Sequence, residues 1–285
     1  LLGWLQDTPP KEYEKVVAPG LNGEAREKAE ARIFDRLVKV LAMDESHGGG
    51  TLSVLRKGFD LAGLRHGFKT LQMPPADDRN PDLAARYEKN RLRVMQEVVY
   101  SENKADRIDL VLFCNGLPVA TIELKTEYTQ SLDQGIAQYR ADRSPAGEPL
   151  HTAFRRALVH FVVTDTHIAM TTKLDGPATT FLPFDHGHNN GAGNPPETGT
   201  SFFWRDVLDR DAWLAILAKF IYVSHETRED PLTGEITETR RIRFPRFHQW
   251  RAVTRLTAAS RDEGAGQHYL IQHSAGSGKT DSIAW

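Results

Sequence analysis

Three side chains of this sequence have the types and spacing to cut a phosphodiester. Thirteen residues separate Asp109 from Glu123, and Glu123 is followed by Leu124 and Lys125. A Glu-x-Lys triplet alone says little, and Glu102-Asn-Lys104 is a second example in a polar stretch. The setting of the first is different. Glu123 and Lys125 interrupt the strand-like run Val119 to Lys125 at alternate positions, so both point to one face. Asp109 sits inside the apolar run Ile108 to Phe113. Charges in such strands cost several kcal/mol unless they are paired or bound to metal. Two carboxylates ~4 Å apart repel by ~1–4 kcal/mol, and a divalent cation between them reverses the sign. Oxygen ligands alone point to Mg²⁺, held by Asp109 and Glu123. Lys125 would orient or deprotonate a water, or steady charge on the phosphate. The competing reading is an edge hairpin whose charges face water.

Register decides between these readings. A tight two-residue turn at Asn115-Gly116 sets Asp109 opposite Ile122 and leaves Glu123 on the other face. Three connecting residues, or an equivalent bulge, set Asp109 opposite Glu123. Pro118 cannot donate a ladder hydrogen bond and suits the first position of a strand. The longer register or a bulge is therefore expected.

A second chemical signal is the string His273-Ser-Ala-Gly276-Ser-Gly278-Lys279-Thr280. It has the form of a phosphate-binding loop, in which Gly276 and Gly278 let backbone N–H groups around Ser277 turn toward phosphate oxygens. Lys279 would reach the β/γ-phosphates of ATP and Thr280 would hold Mg²⁺. Tyr269-Leu270-Ile271 is expected to be the strand before it. His273 stands where the standard pattern has its first Gly.

Composition narrows the partners. A net charge of −2 gives no bulk attraction to nucleic acid, so DNA contacts must come from local basic patches. The single cysteine, Cys114, excludes an intrachain disulfide and suits a reducing cytoplasmic location. No apolar run approaches membrane-spanning length, and the start lacks the basic flank of a signal peptide. With no initiator Met and an end just past the phosphate loop, the chain is expected to be a fragment.

The elements that must position these groups are interleaved helices and strands, so the expected class is α/β. The opening to Gly20 is expected to be irregular. A helix is predicted over Glu24–Leu41, burying Ile33, Leu37, Val40 and Leu41. The stretch Leu64–Arg79 is expected to be loop, and Arg91–Val99 to become a strand near its end. Strands follow over Arg107–Cys114 and Val119–Lys125, then a helix from a Ser131 cap to about Arg143. Leu158–Thr164 and His167–Thr172 form another strand pair. Asp211–Val223 is an apolar helix, and Glu226–Phe244 a hairpin turning at Thr233-Gly234. Gln134 and Gln138, four apart on the helix after Lys125, could touch the DNA backbone or simply face water. His186 and His188 lack a third ligand and are expected to lie in a polar loop. The cations of Arg240–Arg246 suit either a DNA backbone or structural ion pairs.

Taken together, these strings resemble the restriction (R) subunit of type I restriction–modification enzymes over nearly the whole chain. Besides both motifs, the likeness rests on Asn115-Gly-Leu-Pro-Val119, Gln138-Tyr-Arg-Ala-Asp-Arg143, Phe181-Leu-Pro-Phe184 and Arg246-Phe-His-Gln249-Trp. It implies an amino-terminal nuclease domain of the PD-(D/E)xK type, with a mixed central sheet flanked by helices, followed by a helicase-like translocase of RecA-like fold. It implies Mg²⁺ at Asp109 and Glu123, with Lys125 assisting water attack and an early-helix acid, here Glu30 rather than Glu27, joining the metal. Gln249 resembles the adenine-reading Gln of helicases. The family's Gln-x-x-x-Tyr motif is not matched cleanly by Gln134, Gln138 and Tyr139, though all three are assigned to DNA contact. The domains expected are an endonuclease over 1–240 and a truncated ATPase from 241. The implied activity is ATP-driven translocation followed by cutting of double-stranded DNA, with methyltransferase and specificity subunits as partners. The chain alone is expected to hydrolyse no ATP. The alternatives are a nuclease–helicase of DNA repair and a docking module with a vestigial site.

Overall fold

Six strands carry the acidic pair. They run β1 (Leu92–Val99), β2 (Arg107–Cys114), β3 (Leu117–Leu124), β4 (Val159–Val163), β5 (Ile168–Thr171) and β6 (Leu182–Pro183), and lie side by side in that order. Only β3 and β4 are parallel; the other neighbours are antiparallel. The computed structural model describes residues 1–77, 79–101, 104–126, 131–189, 191, 193–231 and 233–285. Glu102-Asn-Lys104 and the Gly/Asn loop after His186 therefore lie partly outside the described residues.

The parallel step needs a crossover, and α6 (Leu132–Ala141) supplies it. Its start is fixed locally. The Ser131 hydroxyl accepts from the Gln134 N–H, and the Gln134 carboxamide accepts from the Ser131 N–H at 2.8 Å. This helix covers one face of the sheet, where Tyr139 packs with Val111, Val162 and Leu174 in a small core. The opposite face, through Ala120, Ile122 and Phe161, joins the main core. That core includes Ile33, Leu37, Val40 and Leu41, the predicted stripe of α3 (Gly23–Ala42).

The turn between β2 and β3 has two residues, Asn115 and Gly116, both at positive φ (49° and 87°). This combination matches the twist of the strands it joins. Asn115 is also an anchor. Its side-chain Oδ1 accepts from the Arg91 N–H at 2.7 Å, and its Nδ2 donates to the Thr70 carbonyl at 2.8 Å. The expected three-residue connection is absent, but the equivalent bulge is present. Phe113 pairs with Pro118 and Leu112 with Ala120, which leaves Val119 as the extra residue. Pro118 is the second residue of its strand, not the first, and the bulge beside it relaxes the ladder it cannot complete.

Several expectations need correction. The opening is helical, not irregular, with α1 (Leu2–Asp7) and α2 (Pro10–Val16), and Trp4, Leu5 and Tyr13 join the main core. Two short helices went unforeseen, α4 (Gly50–Lys57) and α5 (Pro81–Glu88). The apolar helix begins as α7 (Arg210–Ala215), widens over Ile216–Phe220 and ends there; Tyr222 opens β7. β7 (Tyr222–Glu229) pairs along its length with β8 (Ile236–Arg243) as the predicted hairpin. Arg240 on β8 reaches Asp44 at 2.7 Å, and Arg243 pairs with Glu226. These cations therefore have structural partners. Two helices close the chain, α8 (Phe247–Glu263) and α9 (Lys279–Ala284). Phe247 and Trp250 of α8 belong to the main core. Tyr269–Ile271 is not a strand: no described strand lies beside it, so it has no ladder to complete. Among the described residues, no helix is long and apolar enough to cross a membrane.

Candidate active site on the central strand pair

The bulge at Val119 restores the register that the tight turn would have lost. Leu110 pairs with Ile122 at the end of the ladder, and that register continued by one step would set Asp109 across from Glu123. Asp109 is half-buried, and its Oδ2 accepts from the Leu124 N–H at 2.7 Å. Glu123 is 1% exposed and sits between β2 and β4, opposite Val162. Lys125 follows the strand, its N–H bonded to the Val163 carbonyl at 2.9 Å. Its ammonium lies 3.7 Å from Glu123 Oε2, too long for a hydrogen bond but close enough for charge attraction. The helix above fixes this lysine, because Gly135 of α6 comes down where any Cβ would press on Val162 and the Lys125 stem.

Sequence reasoning did not single out Arg143. It lies just past α6 and is 6% exposed. Its Nε and Nη2 both donate to Glu123 Oε1, at 2.9 and 2.7 Å. Its Nη1 donates to the Tyr100 hydroxyl at 3.3 Å, and the guanidinium lies over the Tyr100 ring, 5.5 Å from the centroid. Glu123 Oε2 is buried and has no hydrogen-bond partner among the described residues. A signal for Arg143 was present: Gly135, Tyr139 and Arg143 are spaced four apart, so a helical continuation sets all three toward the sheet.

Burial pushes the Glu123 carboxyl above its ordinary range, and Asp109 adds to the push. The Arg143 and Lys125 charges oppose it. Burial alone would lower Arg143, but Glu123 and Tyr100 together outweigh it and the guanidinium is held more firmly charged. Behind this pair lies a second polar layer. The Thr121 hydroxyl is 2.7 Å from both the Tyr139 hydroxyl and His160 Nδ1. Burial drives His160 well below the ordinary histidine value. His151 is also fully buried. Burial and the Arg143 charge lower it to about 4, against a smaller opposing effect of the Ser144 backbone. Among the described residues neither of its ring nitrogens finds a hydrogen bond of good geometry.

The residues present fit a hard divalent cation. Asp109 and Glu123 stand on adjacent strands, close enough for the Asp109 charge to act on Glu123, and among the described residues one buried Glu123 oxygen has no hydrogen-bond donor. Mg²⁺ is commonly held by one or two carboxylates, its other positions filled by water and substrate phosphate. Glu30 does not join the pair. Its carboxylate accepts from the Tyr13 hydroxyl at 2.7 Å and pairs with Arg26 at 2.9 Å. Among the described residues no group of three or more His, Cys, Asp or Glu is placed to hold one ion.

The other predicted residues divide. Gln134 is exposed but spends its carboxamide oxygen on the helix cap. Gln138 is half-buried on the same helix. Tyr139 is 0% exposed, so it cannot touch DNA directly in this fold; it is a core residue with a satisfied hydroxyl. His186 packs on Phe202 and Phe247 and meets Arg251 at 2.6 Å, in a polar loop as expected.

At the far end, Gly276 and Gly278 adopt positive φ (71° and 78°), as a loop turning its N–H groups inward requires. Lys279 folds back to the His273 and Ser274 carbonyls at 3.3 and 3.0 Å. Thr280 follows in the first turn of α9. Gln249 is 3% exposed and donates to the Gly278 carbonyl at 2.8 Å and the Ser277 carbonyl at 3.3 Å. A cavity of about 600 Å³ opens beside this loop, walled by β5 and by Arg241, Arg243 and Arg246.

Residues 2–179, more than half of the chain, match the family model described as Type I restriction enzyme R protein N terminus. No curated protein matches the chain.

Proposed function

We propose, from the premise that the chain belongs to the type I restriction enzyme R protein N-terminus family, that its sheet is an Mg²⁺-dependent DNA-cutting site. The family points to the nuclease region of R subunits, and the mixed six-stranded sheet with flanking helices fits a domain of that kind. The finer reading is a PD-(D/E)xK site over about 1–240, followed from 241 by the start of a RecA-like motor. The observation that carries it is the register: past a bulge at Val119 Leu110 pairs with Ile122, and this reading continues that register to Asp109 and Glu123, with the Lys125 ammonium 3.7 Å from Glu123.

In this reading Asp109 and Glu123 hold the ion, which when bound supplies positive charge to the phosphate as negative charge builds on it. Lys125, its ammonium 3.7 Å from Glu123, would orient the attacking water or steady the phosphate oxygens. Leu124 keeps Asp109 aimed through its N–H. Exposed Gln134 and half-buried Gln138 are left to meet the DNA backbone. Gln249, Gly276, Ser277, Gly278, Lys279 and Thr280 form the ATP-binding edge of the motor. Pulling of duplex DNA by that motor, with methyltransferase and specificity subunits bound to the target sequence, would present DNA to the Asp109–Glu123 pair.

The test is made in the complete enzyme with its partner subunits. Lys125→Ala and Glu123→Gln should each abolish DNA cutting while ATP hydrolysis continues. Parallel loss of both activities would mean that the hairpin is structural. Cutting that needs free DNA ends and ignores the partner subunits would favour a repair nuclease instead.

A further inference from the structure

We propose that Arg143 is the positioning residue of the ion site: its guanidinium clamps Glu123 Oε1 and so reserves Oε2 for the cation. The inference rests on the ion-binding reading of Asp109 and Glu123 given above. Three observations carry it. Both donors from Arg143, Nε and Nη2, converge on one oxygen at 2.9 and 2.7 Å, so they fix the rotation of the carboxylate. The other oxygen is buried and, among the described residues, receives no hydrogen bond; the Lys125 ammonium stands 3.7 Å from it. The clamp is itself held, by the Tyr100 hydroxyl at 3.3 Å and the Tyr100 ring beneath the guanidinium.

A fork spread over both oxygens would put a donor on each of them. A fork on one oxygen fixes the carboxylate and leaves the other oxygen without a guanidinium donor, as one ligand position. Arg143 touches neither the ion nor DNA in this scheme. It acts through Glu123, as outer partners of metal ligands do.

Charge and position predict opposite signs, which makes the idea testable. Asp109 and Glu123 contribute two negative charges, Arg143 and Lys125 two positive ones. Removing Arg143 makes the site more negative, so Coulomb attraction alone would tighten cation binding. Loss of the clamp would loosen it, by about 10–100-fold if Arg143 behaves as outer partners usually do.

The experiment is a titration of Mn²⁺ alone into the chain, followed by electron paramagnetic resonance, with no DNA and no turnover. Glu123→Gln identifies the site by abolishing the tight Mn²⁺ signal. The expected result is that Arg143→Ala and Arg143→Lys both weaken Mn²⁺ binding about 10–100-fold. Lysine keeps the charge but cannot place two donors on one oxygen. Unchanged or tighter binding in a folded variant overturns the proposal. Should Arg143→Ala fail to fold, Arg143→Lys decides by itself: binding equal to the parent's means that charge alone matters. No Mn²⁺ binding by the parent chain would instead overturn the ion-site reading on which this one stands.

Discussion

Gly135→Ala sets local helix preference against tertiary packing at a position that touches the site. In an ordinary helix interior the change stabilises by about 1 kcal/mol, because Ala is the better helix former. Here the new Cβ would lie 2.4 Å from Val162 Cγ1 and 3.2 Å from Lys125 Cγ. Carbon atoms in contact prefer about 3.5–4.0 Å, so the first overlap exceeds 1 Å. Val162 cannot give way easily: it is β-branched, 0% exposed and backed by Ile108, Val111 and Tyr139. Overpacking of this kind costs about 1–3 kcal/mol, so the net expectation is a loss of up to about 2 kcal/mol. Function should suffer more, because relief of the overlap shifts α6 or the Lys125 stem. A displacement of about 1 Å at a reacting group can cost on the order of 10²-fold in rate. Urea denaturation of the chain measures the first effect, and DNA cutting by the assembled enzyme measures the second. A variant that is more stable than the parent and cuts at the parental rate would refute the claim that α6 fixes Lys125.

Glu123→Ala strands a buried guanidinium and should destabilise by about 3–5 kcal/mol, whereas the double variant Glu123→Leu/Arg143→Met should recover most of that. Urea midpoints test this, and a change within about 0.5 kcal/mol for the single variant would show the pair to be open to water. Tyr139→Phe should cost about 1 kcal/mol by deleting one hydroxyl from the Thr121 cluster. DNA affinity should not change; weakened DNA binding with intact folding would contradict the core placement of Tyr139. His151, held at about 4 against 6.5 for the free side chain, makes stability depend on pH. The unfolded chain takes the proton first, so this contribution is present above about pH 6.5 and is lost as pH falls toward 4. Denaturation between pH 4 and 7 should show that slope, to which buried His160 adds, and His151→Phe should reduce it; an unaltered slope would assign the effect elsewhere.

The parts of the fold legible in the sequence were those with strict periodicity or strong punctuation. Ile33, Leu37, Val40 and Leu41 marked one face of α3, and Ser131 marked the start of α6. Asn115-Gly116 marked the turn, and the demand that Asp109 meet Glu123 called for an irregularity nearby. Its form, an extra Val119 instead of a longer turn, depended on Asn115 being tied to Arg91 and Thr70, distant partners that no local pattern reveals. The first helices were missed because each is only six or seven residues long and is held by Trp4, Leu5 and Tyr13 packing into the main core. Glu30 was chosen for its place on an early helix, yet Tyr13 and Arg26 satisfy it locally. Tyr139 and Arg143 show the converse. Their facing could be read from four-residue spacing, but their roles could not, because Thr121 and Glu123 come from a strand earlier in the chain.

Crystals of the chain soaked in Mn²⁺ and measured for anomalous scattering test the central claim most directly. The account predicts one peak between the Asp109 and Glu123 carboxylates, about 2.0–2.3 Å from an oxygen of each and nearest to Glu123 Oε2. A peak elsewhere, or none while the two acids keep the register seen here, would contradict it.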